Sequence, residues 1–227
     1  MEDYFKFFPE KGIFFIDTCA FCLSHYHPLV RSEFKRKNIR YTIDYLKEET
    51  YRLRFLTDKL SGMDNWLTIQ EVIWEYEKGT KKFERLQHQV ARSSFVSAIG
   101  ELIDQRDRTY KLLKQGHVNA TSNLTDELSE KIEKLLPKVE NIFRNWGGEP
   151  NEKNTDCKLI STALTYAIDM PVSIFSHDLV LLRTFAYSAT KLAPTIKETY
   201  VLEEKTDKRT STEQHLEENI QYSYLNR

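Results

Sequence analysis

Ile13-Phe14-Phe15-Ile16 is a run of four apolar residues with no polar residue between them. A strand with one wet face alternates, so an unbroken run reads as a parallel strand buried on both faces. A strand of that kind needs helices on both sides of its sheet, which makes the chain α/β. The run stops at Asp17-Thr18, where either residue can cap a following helix. Sites in parallel α/β sheets form outside the carboxyl ends of the strands, so Asp17 stands where chemistry is expected.

The rest of the chain supplies the helices. Ile43, Leu46, Leu53, Leu56 and Leu60 have helical spacing over residues 39–60, and Gly62 ends that helix. Residues 66–69 read as a second strand and 70–78 as the helix after it, with Gly79 a break. Two long helices are expected at 82–114 and 125–146, separated by a polar break at 116–123. Thr125 or Ser122 caps the second, and Pro137 kinks or splits it. After a loop at 147–151, a helix at 157–168, a strand at 172–175 and a helix at 179–193 resume the alternation. A last strand is expected at 199–202. The fold class is therefore α/β, a three-layer sandwich with a central parallel sheet of four to five strands. One domain spans residues 1–203 with a helical insertion at about 81–150, and 204–227 is a polar, flexible tail.

Composition narrows the setting. No apolar run reaches the roughly 18 residues of a membrane span, and residues 1–12 lack a signal-peptide layout, so the expected address is the cytoplasm. Three cysteines, Cys19, Cys22 and Cys157, cannot make a disulfide framework and suit a reducing compartment. The net charge of −1 does not advertise nucleic-acid binding, although a site built of carboxylates lowers the total while a local basic rim still holds phosphate.

Four acids fall on one edge of the expected sheet. Asp17 follows the first strand, and Asp178 lies just beyond the strand at 172–175. Asp156 occupies the first turn of a helix, and Glu75 lies on the helix after the second strand. Converging carboxylates repel unless cations neutralise them, and hard oxygen ligands select Mg²⁺ or Mn²⁺. The chemistry that follows is metal-assisted attack of water on a phosphodiester.

At these residues the chain resembles the PIN-domain family of nucleases. Phe14-Phe15-Ile16-Asp17-Thr18 resembles the first family motif, and residues 68–79, Thr-Ile-Gln-Glu-Val-Ile-Trp-Glu-Tyr-Glu-Lys-Gly, the second. Residues 154–160, beginning Asn-Thr-Asp156, resemble the third, and Ile174-Phe175-Ser176-His177-Asp178 the fourth. The resemblance implies a divalent-metal-dependent endonuclease, acting on RNA rather than DNA, with Asp17, Glu75, Asp156 and Asp178 as catalytic metal ligands. In this register the second acid is Glu75, with Glu71 one turn away on the same face. The sequence departs from the family in the long helices between the second and third motifs. Such an insertion could form a substrate lid, a homodimer surface or a partner site.

Other readings of the same residues stay open. Asp17 and Asp156 can be plain helix caps, and Asp178 a turn residue. Cys19-Ala20-Phe21-Cys22 has redox-pair spacing, and with His25 and His27 could make half a zinc site, but packing of the first helix is the simpler role. Lys35, Arg36, Lys37 and Arg40 are the first candidates for substrate phosphate, with Lys78, Lys81 and Lys82 second. The domain could also be a toxin nuclease blocked by an inhibitory protein partner. A third reading is a non-catalytic scaffold in a ribonucleoprotein assembly.

Overall fold

A computed structural model describes residues 12–21, 39–88, 93–122, 124–176, 178–196 and 220–224. The apolar run forms β1 (Ile13–Ile16), which pairs in parallel with β2 (Trp66–Leu67) on one side and β3 (Val172–Ser176) on the other. Phe14, Phe15 and Ile16 are all 1% exposed or less, as a doubly covered strand requires. The pleat divides the core in two. Phe14, Ile16 and Phe175 face one apolar cluster, while Phe15, Val172 and Ile174 face the other.

Helices close both clusters. The first is filled by Phe21 of α1 (Thr18–Phe21), Leu46 and Leu53 of α2 (Ile39–Ser61), Ile73 of α3 (Gln70–His88), and Phe95 and Ile99 of α4 (Ser93–Ser122). The second takes Val139 and Phe143 of α5 (Asp126–Asn145), Leu159 and Ala163 of α6 (Thr155–Tyr166), and Leu181 and Phe185 of α7 (Leu179–Ile196). The structure is mostly helical around a small parallel sheet ordered β2-β1-β3. The segment β4 (Ile220–Tyr224) runs parallel to β3 at its free edge. It lies within the stretch read as a polar tail, where Ile220, Tyr222 and Tyr224 alternate with Gln221 and Ser223 in the two-residue period of a strand. The strand expected at 199–202 falls outside the described residues.

Several expected boundaries move, each for a local reason. The strand expected at 66–69 is only two residues long, and Thr68 leaves the ladder to donate its hydroxyl to the Ile16 carbonyl, 3.1 Å away. Helix α3 runs through Gly79 because the missing side chain makes room for the Arg106 guanidinium, 3.0 Å from where a Cβ would sit. Residues 82–88 belong to α3, so the helix expected at 82–114 begins instead at Ser93. The polar break at 116–123 is helical up to Ser122, and Gly116 receives the Trp66 ring. Helix α5 starts on Thr125, whose hydroxyl accepts the Leu128 N–H at 3.2 Å, and passes Pro137 without being split. It ends in a Schellman turn with Gly147 at φ +82°, where Gly148 N–H reaches the Phe143 carbonyl at 2.9 Å. The helices expected as an insertion at 81–150 are thus built into both clusters.

Candidate active site

Asp17 leaves β1 with its N–H still donated to the Phe175 carbonyl, 3.1 Å away. That bond holds the carboxylate at the junction of two strand ends. Its Oδ1 accepts the Thr18 N–H at 2.6 Å, and its Oδ2 accepts the Ser176 hydroxyl at 2.8 Å and the Cys19 thiol at 2.7 Å. The side chain is only 3% exposed. Burial raises its pKa, the three hydrogen bonds pull it back, and the charge of Asp178 raises it further.

Glu75 reaches the same edge from the second turn of α3. Thr18 donates its hydroxyl to Glu75 Oε2 at 2.8 Å, and the Asn151 amide donates to Oε1. Burial again raises the pKa, with Thr18 opposing and the nearby Asp17 charge adding to the rise. Glu71 is one turn away but turned aside: it accepts from Lys158 of α6 at 2.7 Å. Glu77 pairs with Lys81 at the exposed surface. Of Glu75 and Glu71, only Glu75 shares a partner, Thr18, with Asp17.

Asp156 sits in the first turn of α6, which begins after Asn154 in the left-handed region at φ 55°. Asn151 ties this turn to Glu75: its Oδ1 accepts the Thr155 N–H at 3.2 Å while its amide serves the glutamate. No hydrogen bond from the described residues to the Asp156 carboxyl offsets its burial. Burial, followed by the charges of Asp17, Glu75 and Asp178, pushes its carboxyl up to about 8. Asp178 caps α7, accepting the Val180 and Leu181 N–H groups on Oδ1 at 2.7 and 3.2 Å, and its own N–H donates to Ser176 Oγ at 3.0 Å. Asp178, open to reading as a turn residue, is thus the exposed cap of α7, and its charge raises the pKa of Asp17 and Asp156.

The four sequence candidates are linked through shared partners: Thr18 between Asp17 and Glu75, Asn151 between Glu75 and the turn of Asp156, and Ser176 between Asp17 and Asp178. Asn151 and Ser176 join them without having been singled out. The one signal for Asn151 was its type and position, a cap-forming residue in the loop before a helix. Cys19, expected to pack its helix, turns its thiol to the Asp17–Ser176 pair. Lys35, Arg36 and Lys37 lie outside the described residues, as do Cys22, His25, His27 and His177. Arg40 is within α2, but its side chain is outside the described set.

The donor set suits a hard divalent cation: carboxylate oxygens that run from buried at Asp17 through half-buried at Glu75 and Asp156 to exposed at Asp178, with the Asp156 carboxyl raised by burial and by its neighbours. The arrangement is not a finished cage. Among the described residues no three Asp, Glu, His or Cys side chains are gathered to hold an ion as they stand. An ion here would exchange with the Asp156 proton and with hydrogen bonds now made to Asp17. No family model, curated protein or solved structure matches this chain. No helix among the described residues is long and apolar enough to cross a membrane.

Proposed function

We propose that this chain is a divalent-metal-dependent endonuclease that hydrolyses phosphodiester bonds, with RNA preferred over DNA and the cytoplasm as its setting. The observation that carries the reading is the hydrogen-bonded linkage at one strand-end edge: Thr18 joins Asp17 to Glu75, Asn151 joins Glu75 to the turn that carries Asp156, and Ser176 joins Asp17 to Asp178. The four-motif resemblance to the PIN-domain family supports it and supplies the preference for RNA. The same resemblance favours a three-layer sandwich in which β2-β1-β3 and β4 form the central sheet.

Asp17, Asp156 and Asp178 would hold Mg²⁺ or Mn²⁺. Such an ion supplies a water of lowered pKa and neutralises charge on the leaving oxygen. As a ligand Asp156 would be ionised, its proton released to solvent. Ser176 and Thr18 fix the orientation of the Asp17 carboxylate. Glu75, braced by Thr18 and Asn151, holds the attacking water by one of its protons, a task for which a raised carboxyl pKa is suited. No side-chain nucleophile is needed.

The test is cleavage of single-stranded RNA, structured RNA and DNA in Mn²⁺, comparing wild type with Asp17→Asn. Loss of at least about 100-fold in the variant is expected, in line with removal of a group that stabilises the transition state directly. Equal cleavage by the two proteins would remove the assigned site. A non-catalytic scaffold is favoured by one observation, the three hydrogen bonds that protein donors already make to the Asp17 carboxylate. That second reading expects no cleavage and no Mn²⁺-dependent rise in melting temperature.

A further inference from the structure

We propose that a groove between the end of α5 and the outer face of α7 binds an unpaired nucleotide of a nucleic-acid strand that continues into the carboxylate edge. The inference deepens the nuclease reading and rests on it for the identity of the strand.

The groove encloses about 400 Å³, within the range of small-ligand sites, and is lined by Trp146, Leu179, Leu182, Arg183, Tyr187 and Thr190 among others. Trp146 and Tyr187 are each 43% exposed, unusual for large aromatic side chains. Their rings meet edge to face at 6.1 Å and 78°. Two cations accompany them: Arg183 lies 5.8 Å from the centre of the Trp146 ring, and Lys191 5.8 Å from that of Tyr187. No acid is among the lining residues. Aromatic faces with guanidinium and ammonium groups beside them recognise a base by stacking and its phosphate by charge. A metal ion would be repelled there, and a purely apolar partner would have to desolvate Arg183.

The groove is continuous with the carboxylates along the chain. Leu179 follows Asp178 directly, and Trp146 opens the loop that leads to Asn151, the partner of Glu75, and on to Asp156. The same loop carries Lys153, 5.7 Å from the ring of Trp74, which also has Lys78 at 4.6 Å. Trp74 immediately precedes Glu75. One loop therefore connects two aromatic–cation positions, with Asn151, the partner of Glu75, between Trp146 and Lys153. A strand following that loop would bring its phosphates to the acids.

The experiment is fluorescence anisotropy with the full chain in EDTA, using a labelled unpaired oligouridylate of about 12 nucleotides and a duplex of equal length. Trp146→Ala should weaken binding of the unpaired strand about 10- to 100-fold and leave the duplex unchanged, while Trp146→Phe retains most of the affinity. Arg183→Ala should flatten the salt dependence by about 0.7 in log–log slope. Undiminished binding by Trp146→Ala, equal rescue by Trp146→Leu and Trp146→Phe, or no binding by the wild type would overturn the proposal. So would self-association of the wild type that Trp146→Ala abolishes, since a second copy would then fill the groove. The two readings fail separately: tight Trp146-dependent binding without cleavage sinks the nuclease alone, and cleavage with Trp146-independent binding sinks the groove alone.

Discussion

Asp156 keeps its proton near neutral pH because burial and three neighbouring carboxyl groups all oppose its charge. A carboxyl whose folded pKa lies above its unfolded value binds more protons folded than unfolded between the two. Its contribution to stability is complete below about pH 4 and is lost as the pH rises through about 8. The metal-free protein should therefore melt lower at pH 8 than at pH 5. Asp156→Asn should reduce that fall and raise Tm at pH 8 by at least about 2–4 °C, the shift that roughly 1 kcal/mol gives a chain of this size. Parallel melting curves for variant and wild type would contradict the burial and repulsion seen at Asp156. Added Mn²⁺ should raise the wild-type Tm at pH 8 more than that of Asp156→Asn. Among the glutamates, Glu75→Gln should cut cleavage by about 100-fold or more. Glu71→Gln should cost less than about 10-fold, because its carboxylate pairs with Lys158 and shares no partner with Asp17. Asp17, Asp156 and Asp178 were legible because each adjoins a strand end or helix start. Asn151 and Ser176 were not, since their role depends on which helix comes back to meet them.

At the scale of elements, glycine was the least reliable punctuation. Gly79 and Gly116 read as breaks, yet both lie inside helices and mark places where another side chain needs the space. A Cβ at Gly116 would come within 2.1 Å of the Trp66 ring. Gly116→Ala should consequently destabilise the protein by about 1–3 kcal/mol, although alanine is the better helix former. Urea denaturation measures this, and a stabilised variant would mean that Trp66 does not pack there. The buried Arg106 plays the matching part at Gly79: its Nε donates to Thr80 Oγ1 at 2.8 Å and its Nη2 to the Tyr76 carbonyl at 2.9 Å. Amphipathic spacing located α2, α5 and α7 well because each buries a stripe at helical period. Where α3 ends and α4 begins was not legible, since both bury into the same cluster and the periodicity runs on.

Across the whole molecule, residues 81–150 divide their apolar side chains between the two sides of the sheet. Phe95, Ile99, Leu102 and Leu113 belong to one cluster, and Leu135, Val139, Ile142 and Phe143 to the other. Deleting this stretch should therefore abolish cooperative folding rather than leave a smaller active domain. A soluble deletion protein with a sharp thermal transition and retained cleavage would show the helices to be dispensable. The sequence by itself determined the buried central strand of a parallel sheet, the helices around it and the adjacency of Asp17 and Asp178 to strand ends. It could do so because an unbroken apolar run and a strand-end aspartate are local signals of burial and of edge. Only the tertiary structure decided that Glu75 rather than Glu71 meets Asp17. It also showed that Asn151 ties Glu75 to Thr155, the residue before Asp156, and that the long middle helices complete the core. These depend on contacts between segments dozens of residues apart, formed when the helices close over both faces of the sheet.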